Sequence, residues 1–234
     1  NKSFFFKHKI DFEKVKLKMN SIYFDSPYAF DPGGLTIESV NENRTQARDR
    51  NVLFDAQESV KQLQAGFALD WKTVAGTVKS SLYYSNRDFI GLLPFTNGGH
   101  VELNRDFAGL ELSLNSRFNE FEWMFGASAQ SQADDRKRFQ NNEGVKGEMA
   151  MDQLESFDSY GMFALGSLNK PKYSLQAGVR FDVHQISLDD NLANGQNIFY
   201  TKYIADYLED YDGNPEDPLN YMTSAFELSY FENE

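Results

Sequence analysis

Two copies of one pattern carry the clearest chemical potential: Arg87-Asp88-Phe89-Ile90-Gly91-Leu92 and Arg105-Asp106-Phe107-Ala108-Gly109-Leu110, one on each side of a single connection. A guanidinium presents a planar fork of donors that matches carboxylate or catecholate oxygens. One reading has Arg87 and Arg105 line a mouth and meet an anionic ligand. The other has each Arg pair with an Asp, already its neighbour in sequence, and fix the hairpin where it turns. A second cluster, Asp134-Asp135-Arg136-Lys137-Arg138-Phe139, sets three cations in a net-acidic chain. Arg136, Arg138 and Phe139 could contact an anionic ligand; the alternative is a solvated charge run. Residues 188–220 hold eight carboxylates against Lys202, with Phe199, Tyr200, Tyr203, Tyr207 and Tyr211 interleaved. Tyr200 and Tyr203 are candidates for aromatic ligand contact; the plain alternative is an exposed loop. Asp210-Tyr211-Asp212-Gly213-Asn214 fails the calcium-loop spacing, because its first ligand position falls on Leu208. The three His residues form no pair at metal-ligand spacing. No nucleophile elbow, phosphate loop or zinc motif occurs, and His184 with Ser187 is the nearest approach to a hydrolytic pair.

Composition narrows the classes further. The chain has 234 residues, no Cys, 12 Tyr and 21 Phe, and a formal charge of -12. Without Cys there are no disulfide staples and no thiolate metal sites. Strong acidity argues against nucleic acid, whose phosphates require a basic surface. No run reaches about 18 consecutive apolar residues, so no membrane-crossing helix is expected; barrel strands give a far weaker signal. Residues 1–6 lack the charged start, apolar stretch and small-residue site of an export leader, which predicts a processed or internal stretch.

What must position these residues is a cadence of period two. In 173–183, Tyr173, Leu175, Ala177, Val179, Phe181 and Val183 share one face, and Ser174, Gln176, Gly178, Arg180 and Asp182 share the other. Successive side chains of a strand point to opposite faces. The pattern predicts nine strands: 4–12, 15–24, 59–71, 77–89, 107–118, 121–132, 154–168, 173–183 and 221–231. Strand seven is ambiguous in phase, since Phe157 and Phe163 fall on one parity and Tyr160 and Met162 on the other. Connections alternate between tight turns and long polar stretches at 25–57, 91–104, 134–153 and 188–220, the first with a short helix capped by Thr36. Trp71, Phe118, Phe121, Trp123 and Tyr173 lie beside the short turns on the apolar parity. The fold expected is all-β: an antiparallel transmembrane barrel, apolar outside and polar inside, with short periplasmic turns, long extracellular loops and an aromatic girdle. A soluble sandwich or lipocalin-like barrel is the competing fold, but strands of about 5–6 residues are usual there and four such long connections are not.

Several stretches carry a family resemblance: Ser26-Pro27-Tyr28-Ala29-Phe30-Asp31-Pro32-Gly33-Gly34-Leu35-Thr36, the two Arg-Asp-Phe copies, Asp135-Arg136-Lys137-Arg138-Phe139-Gln140-Asn141, and Ala177-Gly178-Val179-Arg180-Phe181-Asp182. In order and spacing they resemble mid-barrel strands of TonB-dependent outer-membrane receptors, in particular the iron–siderophore class. The resemblance covers most of the chain. It implies a bacterial outer-membrane location and a barrel of about twenty-two strands around an N-terminal plug. Residues 1–234 would be part of that single barrel domain, with the plug and the remaining strands outside them. It also implies import of a ferric siderophore or similar scarce nutrient, energised by the TonB–ExbB–ExbD complex through the plug, with iron only as cargo and no cofactor. Outer-membrane lipid and a small-molecule ligand would be partners. Arg87, Arg105, Arg136, Arg138, Phe139, Tyr200 and Tyr203 would serve ligand binding. Glu111, Asn115, Arg117, Gln176, Arg180 and Asp182 would face the plug across the lumen. A plug-less channel or an outer-membrane enzyme is the alternative function.

Overall fold

Alternating apolar and polar side chains leave a backbone few options other than strands, and strands they form. The computed structural model describes residues 1–192 and the backbone of 219–232. Nine strands, β1 (Lys2–Asp11), β2 (Val15–Phe30), β3 (Gln57–Thr73), β4 (Gly76–Leu92), β5 (His100–Phe118), β6 (Phe121–Asn142), β7 (Val145–Lys170), β8 (Tyr173–Asp190) and β9 (Leu219–Glu232), make one antiparallel sheet in sequence order. Two short helices, α1 (Ile37–Glu42) and α2 (Asp49–Leu53), sit between β2 and β3.

The register sorts the faces. One row runs Met19, Phe67, Leu82, Leu110, Ala129, Tyr160, Val183 across seven strands, each residue opposite the next. These side chains have no apolar layer over them: Leu82, Leu110 and Tyr160 are about half exposed. A one-residue slip in any strand would swap its faces, so the pattern fixes the pairing. The exposed apolar face is the lipid side of a barrel wall, and the polar face is the lumen side. The expected girdle is present, with Trp71, Phe118, Phe121 and Tyr173 all exposed on the lipid side by the short turns. Trp123 packs against Phe125 at 5.0 Å. The phase of strand seven resolves by pairing. Tyr160 and Met162 face lipid, while Phe157 stacks on His184 (5.7 Å) and Phe163 lies over Gly126 inside. A Cβ at Gly109 would come within 2.2 Å of the Tyr83 ring that covers it, and the Tyr83 hydroxyl accepts from Gln130 Nε2 (2.8 Å).

Two expected long loops are different in kind. Residues 91–104 reduce to a connection at 93–99, and 134–153 are strand joined by a two-residue turn at Glu143-Gly144. Both turn residues have positive φ (52° and 89°), the requirement of a tight hairpin turn matched to strand twist. β6 and β7 therefore run on for 22 and 26 residues, well beyond a bilayer crossing of about 9–11. In β7 the lipid-facing apolar stretch is 160–168, and 145–158 rises above it. His100 is the first residue of β5, not a loop residue. The stretch at 31–56 stays a loop; Thr36 caps α1 by accepting from Ser39 N (3.3 Å), as expected, and α2 was not foreseen.

These extracellular segments are tied together at one residue. Asn141 is fully buried and donates from Nδ2 to Phe54 O (3.0 Å) and Leu93 O (2.9 Å). Its side-chain oxygen accepts from Gly144 N (2.8 Å), and its own N–H reaches Thr96 O (2.8 Å). Arg50 Nε adds a bond to Pro94 O (2.6 Å). Loop 31–56, loop 93–99 and the β6–β7 tip thus form one body above the membrane.

Candidate functional site

The upper lumen wall carries an alternating ladder of charge. Arg105, Asp134 and Glu155 are cross-strand neighbours on β5, β6 and β7, all on the inner parity and all above the lipid-facing apolar stretch. Asp134 is 2% exposed. It accepts from Arg105 Nε at 2.7 Å and through a second bond from Nη2, and from Gln132 Nε2 at 3.3 Å. Arg136 lies 3.8 Å from Asp134 and 3.2 Å from Glu155. Burial pushes the Glu155 carboxyl above the usual carboxylate range; Arg136 opposes that shift and Asp134 adds to it. Gln153, one step higher on the same face, is fully buried and neither side-chain atom has a hydrogen-bond partner.

The arrangement shows where the Arg and Asp of the two Arg-Asp-Phe copies point. Asp88 and Asp106, the sequence neighbours, point outwards, because adjacent strand residues face opposite ways. Arg105 therefore pairs with Asp134 across the sheet, not with Asp106 beside it. Asp106 instead accepts from Tyr84 Oη and Asn86 Nδ2, and Asp88 from Asn104. Arg87 stands opposite Arg105 on the inner face with its guanidinium 5.6 Å from the Phe89 ring centroid. It makes no ion pair among the described residues. Arg136 and Arg138 share the inner parity with it. Phe139 is on the other side of the wall, 7% exposed, against His100 (5.7 Å) and beneath Lys146 (3.6 Å to the ring centroid). Tyr200 and Tyr203, with the acidic run around them, lie outside the described residues.

Lower on the polar face, Glu111, Asn115, Arg117, Gln176, Arg180 and Asp182 share the inner parity. Arg180 grips Asp182 through two bonds (2.7 and 2.6 Å), Arg117 meets Glu122 (3.3 Å), and Ser81 Oγ donates to Glu111 (3.3 Å). Asn115, Arg117 and Gln176 line a groove of about 520 Å³ near the short turns. His184 points into the lumen and Ser187 away from it, so the one hydrolytic pair offered by the sequence cannot share a site. No group of three or more His, Asp or Glu side chains suited to a metal ion occurs among the described residues.

A continuous antiparallel sheet, lipid-facing on one side and polar on the other, with aromatics at its short-turn end, is a wall of an outer-membrane barrel. The chain belongs to the "TonB dependent receptor-like, beta-barrel" family, whose model matches residues 8–228. It is thus an outer-membrane protein of a receptor family of transporters rather than enzymes. No curated protein matches the sequence. Solved structures share the fold at low identity. The copper transporter OprC matches with a TM-score of 0.58 and 14% identity over 95% of this chain and 32% of its own. BauA, the ferric preacinetobactin receptor of Acinetobacter baumannii, gives 0.58 and 8% over 97% and 36%. PiuA, a siderophore receptor of Acinetobacter baumannii, gives 0.53 and 11% over 93% and 37%. The chain spans about a third of the length of these structures.

Proposed function

We propose that this wall belongs to a receptor that imports a ferric siderophore or similar scarce nutrient across the outer membrane, energised by TonB–ExbB–ExbD. Residues 1–234 are one part of a single larger barrel domain. Other strands close it, since an open sheet edge in lipid would leave backbone groups unsatisfied. A plug lies in the lumen, where Glu111, Asn115, Arg117, Gln176, Arg180 and Asp182 face it. Cargo is captured above, by Arg87, Arg105, Arg136 and Arg138, with Tyr200 and Tyr203 as further contacts. Phe139, being buried, supports the hairpin and not the ligand. Iron enters as cargo, and the wall performs no covalent chemistry.

The observation that carries this reading is the guanidinium-rich inner wall above the membrane, where Arg87 has no carboxylate partner among the described residues. The test is uptake of radio-iron, presented as a panel of ferric siderophores, by cells that depend on the complete receptor. Saturable uptake of at least one complex, abolished by loss of TonB, is the expected result. TonB-independent, non-saturable flux of small solutes would replace this reading with a plug-less channel.

A further inference from the structure

We propose that the lipid face of β6 to β8 holds one glycerophospholipid of the periplasmic leaflet, with an acyl chain in a depression of the wall and its phosphate at the turn between β7 and β8. The depression measures about 480 Å³ and is lined by apolar side chains. Its floor is Ala164 and Gly166 on β7 and Ala177 on β8. The register sets Trp123, Gly166 and Ala177 in one row and Phe125 and Ala164 in the next. Phe121, Trp123 and Phe125 stand along the β6 side. The Phe121 ring leans towards Gly166, so that a Cβ there would meet its edge at 3.3 Å, and the Trp123 and Phe125 rings pack at 5.0 Å. Larger side chains rise at both ends: Leu168 and Leu175 in the row nearer the turn, Met162 and Phe181 in the row further up. A hydrocarbon chain in such a dent has more close neighbours than one against a flat face, and each adds dispersion attraction.

Packing alone selects no occupant, because lipid tails are as apolar as the side chains that line the depression. The charge at its foot does. Gly166 and Ala177 lie four residues above Lys170 and Tyr173, which stand opposite each other at the β7–β8 turn on the same outward parity. Four residues of strand span about 13 Å. That is within the half-thickness of the hydrocarbon core, about 15 Å, so a headgroup at the turn leaves its chain lying in the depression. The turn brings two ammonium groups to this rim, Lys170 and Lys172. Glu120, from the neighbouring turn, pairs with Lys170. Lys172 has no ion pair within 4.0 Å among the described residues. Two cations against one carboxylate suit an anion, and the anion at that depth is a lipid phosphate. Lysine stems can lie along the apolar rim while their charged ends reach it. The short turns face the periplasm, which places the lipid in that leaflet.

The test uses the complete receptor in mild detergent, read by native mass spectrometry. The probes are phosphatidylglycerol, phosphatidylethanolamine and the phosphate-free diacylglycerol with the same chains. One molecule of either phospholipid should stay bound per receptor, and diacylglycerol should not. Lys172→Glu should weaken phospholipid binding about fivefold. Gly166→Leu, which fills the floor, should weaken it about tenfold, whereas Leu110→Ala, elsewhere on the lipid face, should leave it unchanged. A phosphatidylglycerol with a diazirine in its acyl chain then locates the chain, and label should concentrate in 121–125 and 164–179. Should Gly166→Leu fail to show the heat-modifiable band of a folded barrel, this label on the native protein decides instead. Diacylglycerol held as well as phospholipid, binding indifferent to both Lys172→Glu and Gly166→Leu, or label spread evenly over the lipid face overturns the inference. So does a polypeptide, whether a second copy or another protein, that stays in complex and shields 121–125 from label. No label on any lipid-face strand refutes the face assignment itself, and this inference with it.

Discussion

Asn141→Ala should loosen the extracellular body at its buried anchor. The side chain is 0% exposed and holds three backbone groups: the carbonyls of Phe54 and Leu93 and the N–H of Gly144. Each such bond contributes about 1 kcal/mol net, and a carbonyl stranded away from water costs more. Three lost bonds amount to about 3 kcal/mol, or roughly a hundredfold in a local opening equilibrium. Hydrogen exchange on the complete receptor reads this directly. Amides at 93–99 and 141–146 should exchange about a hundredfold faster, while those of the lipid-facing stretch of β5 should not change. Asn141→Asp keeps the acceptor for Gly144 but places carboxylate oxygen against two carbonyls, so it should be at least as damaging as Ala. A change below about threefold in the Ala variant would mean that water or other contacts hold the three segments, and the anchoring argument would fail.

Further perturbations test the faces and the wall. Leu112→Arg, on the lipid side, should cost about 2–4 kcal/mol and reduce the folded, heat-modifiable band, whereas Ser113→Arg next to it should assemble normally; equal behaviour would reverse the face assignment. Arg87→Ala should weaken cargo binding about tenfold with the barrel intact, as measured by equilibrium binding of the imported complex; an unchanged affinity removes Arg87 from the site. Glu155 has a folded-state pKa above its unfolded value, mainly through burial. Its charged form therefore costs stability at neutral pH, and that cost disappears as pH falls through the raised pKa. Glu155→Gln should melt higher than the native protein at about pH 8, with the gap closing towards acid; a lower melting temperature at pH 8 would contradict this assignment of cause.

How much could be read from the residues depended on where in the membrane they sit. Within the bilayer one face meets hydrocarbon and the other meets the polar lumen, so 173–183 and 107–118 alternate cleanly and their strands, faces and girdle aromatics were legible. Above the bilayer both faces are wet, the alternation fades, and 134–153 looks like a polar loop. Its turn, Glu143-Gly144, lacks the usual Asn-Gly or Asp-Gly signature, and only the backbone angles show it. The site was half legible for a related reason. The residue types of the Arg-Asp-Phe copies marked them as sites of interest. A strand, however, turns neighbours to opposite faces, so the partner of Arg105 is 29 residues away at Asp134 and Asp106 faces outwards. Gln153 and Asn141 carried no sequence signal, because burial of an amide depends on what packs over it.

The sequence by itself determined the local facts: which segments are strands in lipid and which face of each is apolar. These follow from periodicity and side-chain chemistry within ten or so residues. The tertiary structure decided everything that depends on register between strands: the Arg105–Asp134–Glu155 ladder, the separation of His184 from Ser187, and the anchor at Asn141. Register joins residues distant in sequence, and no local pattern encodes which of them will meet.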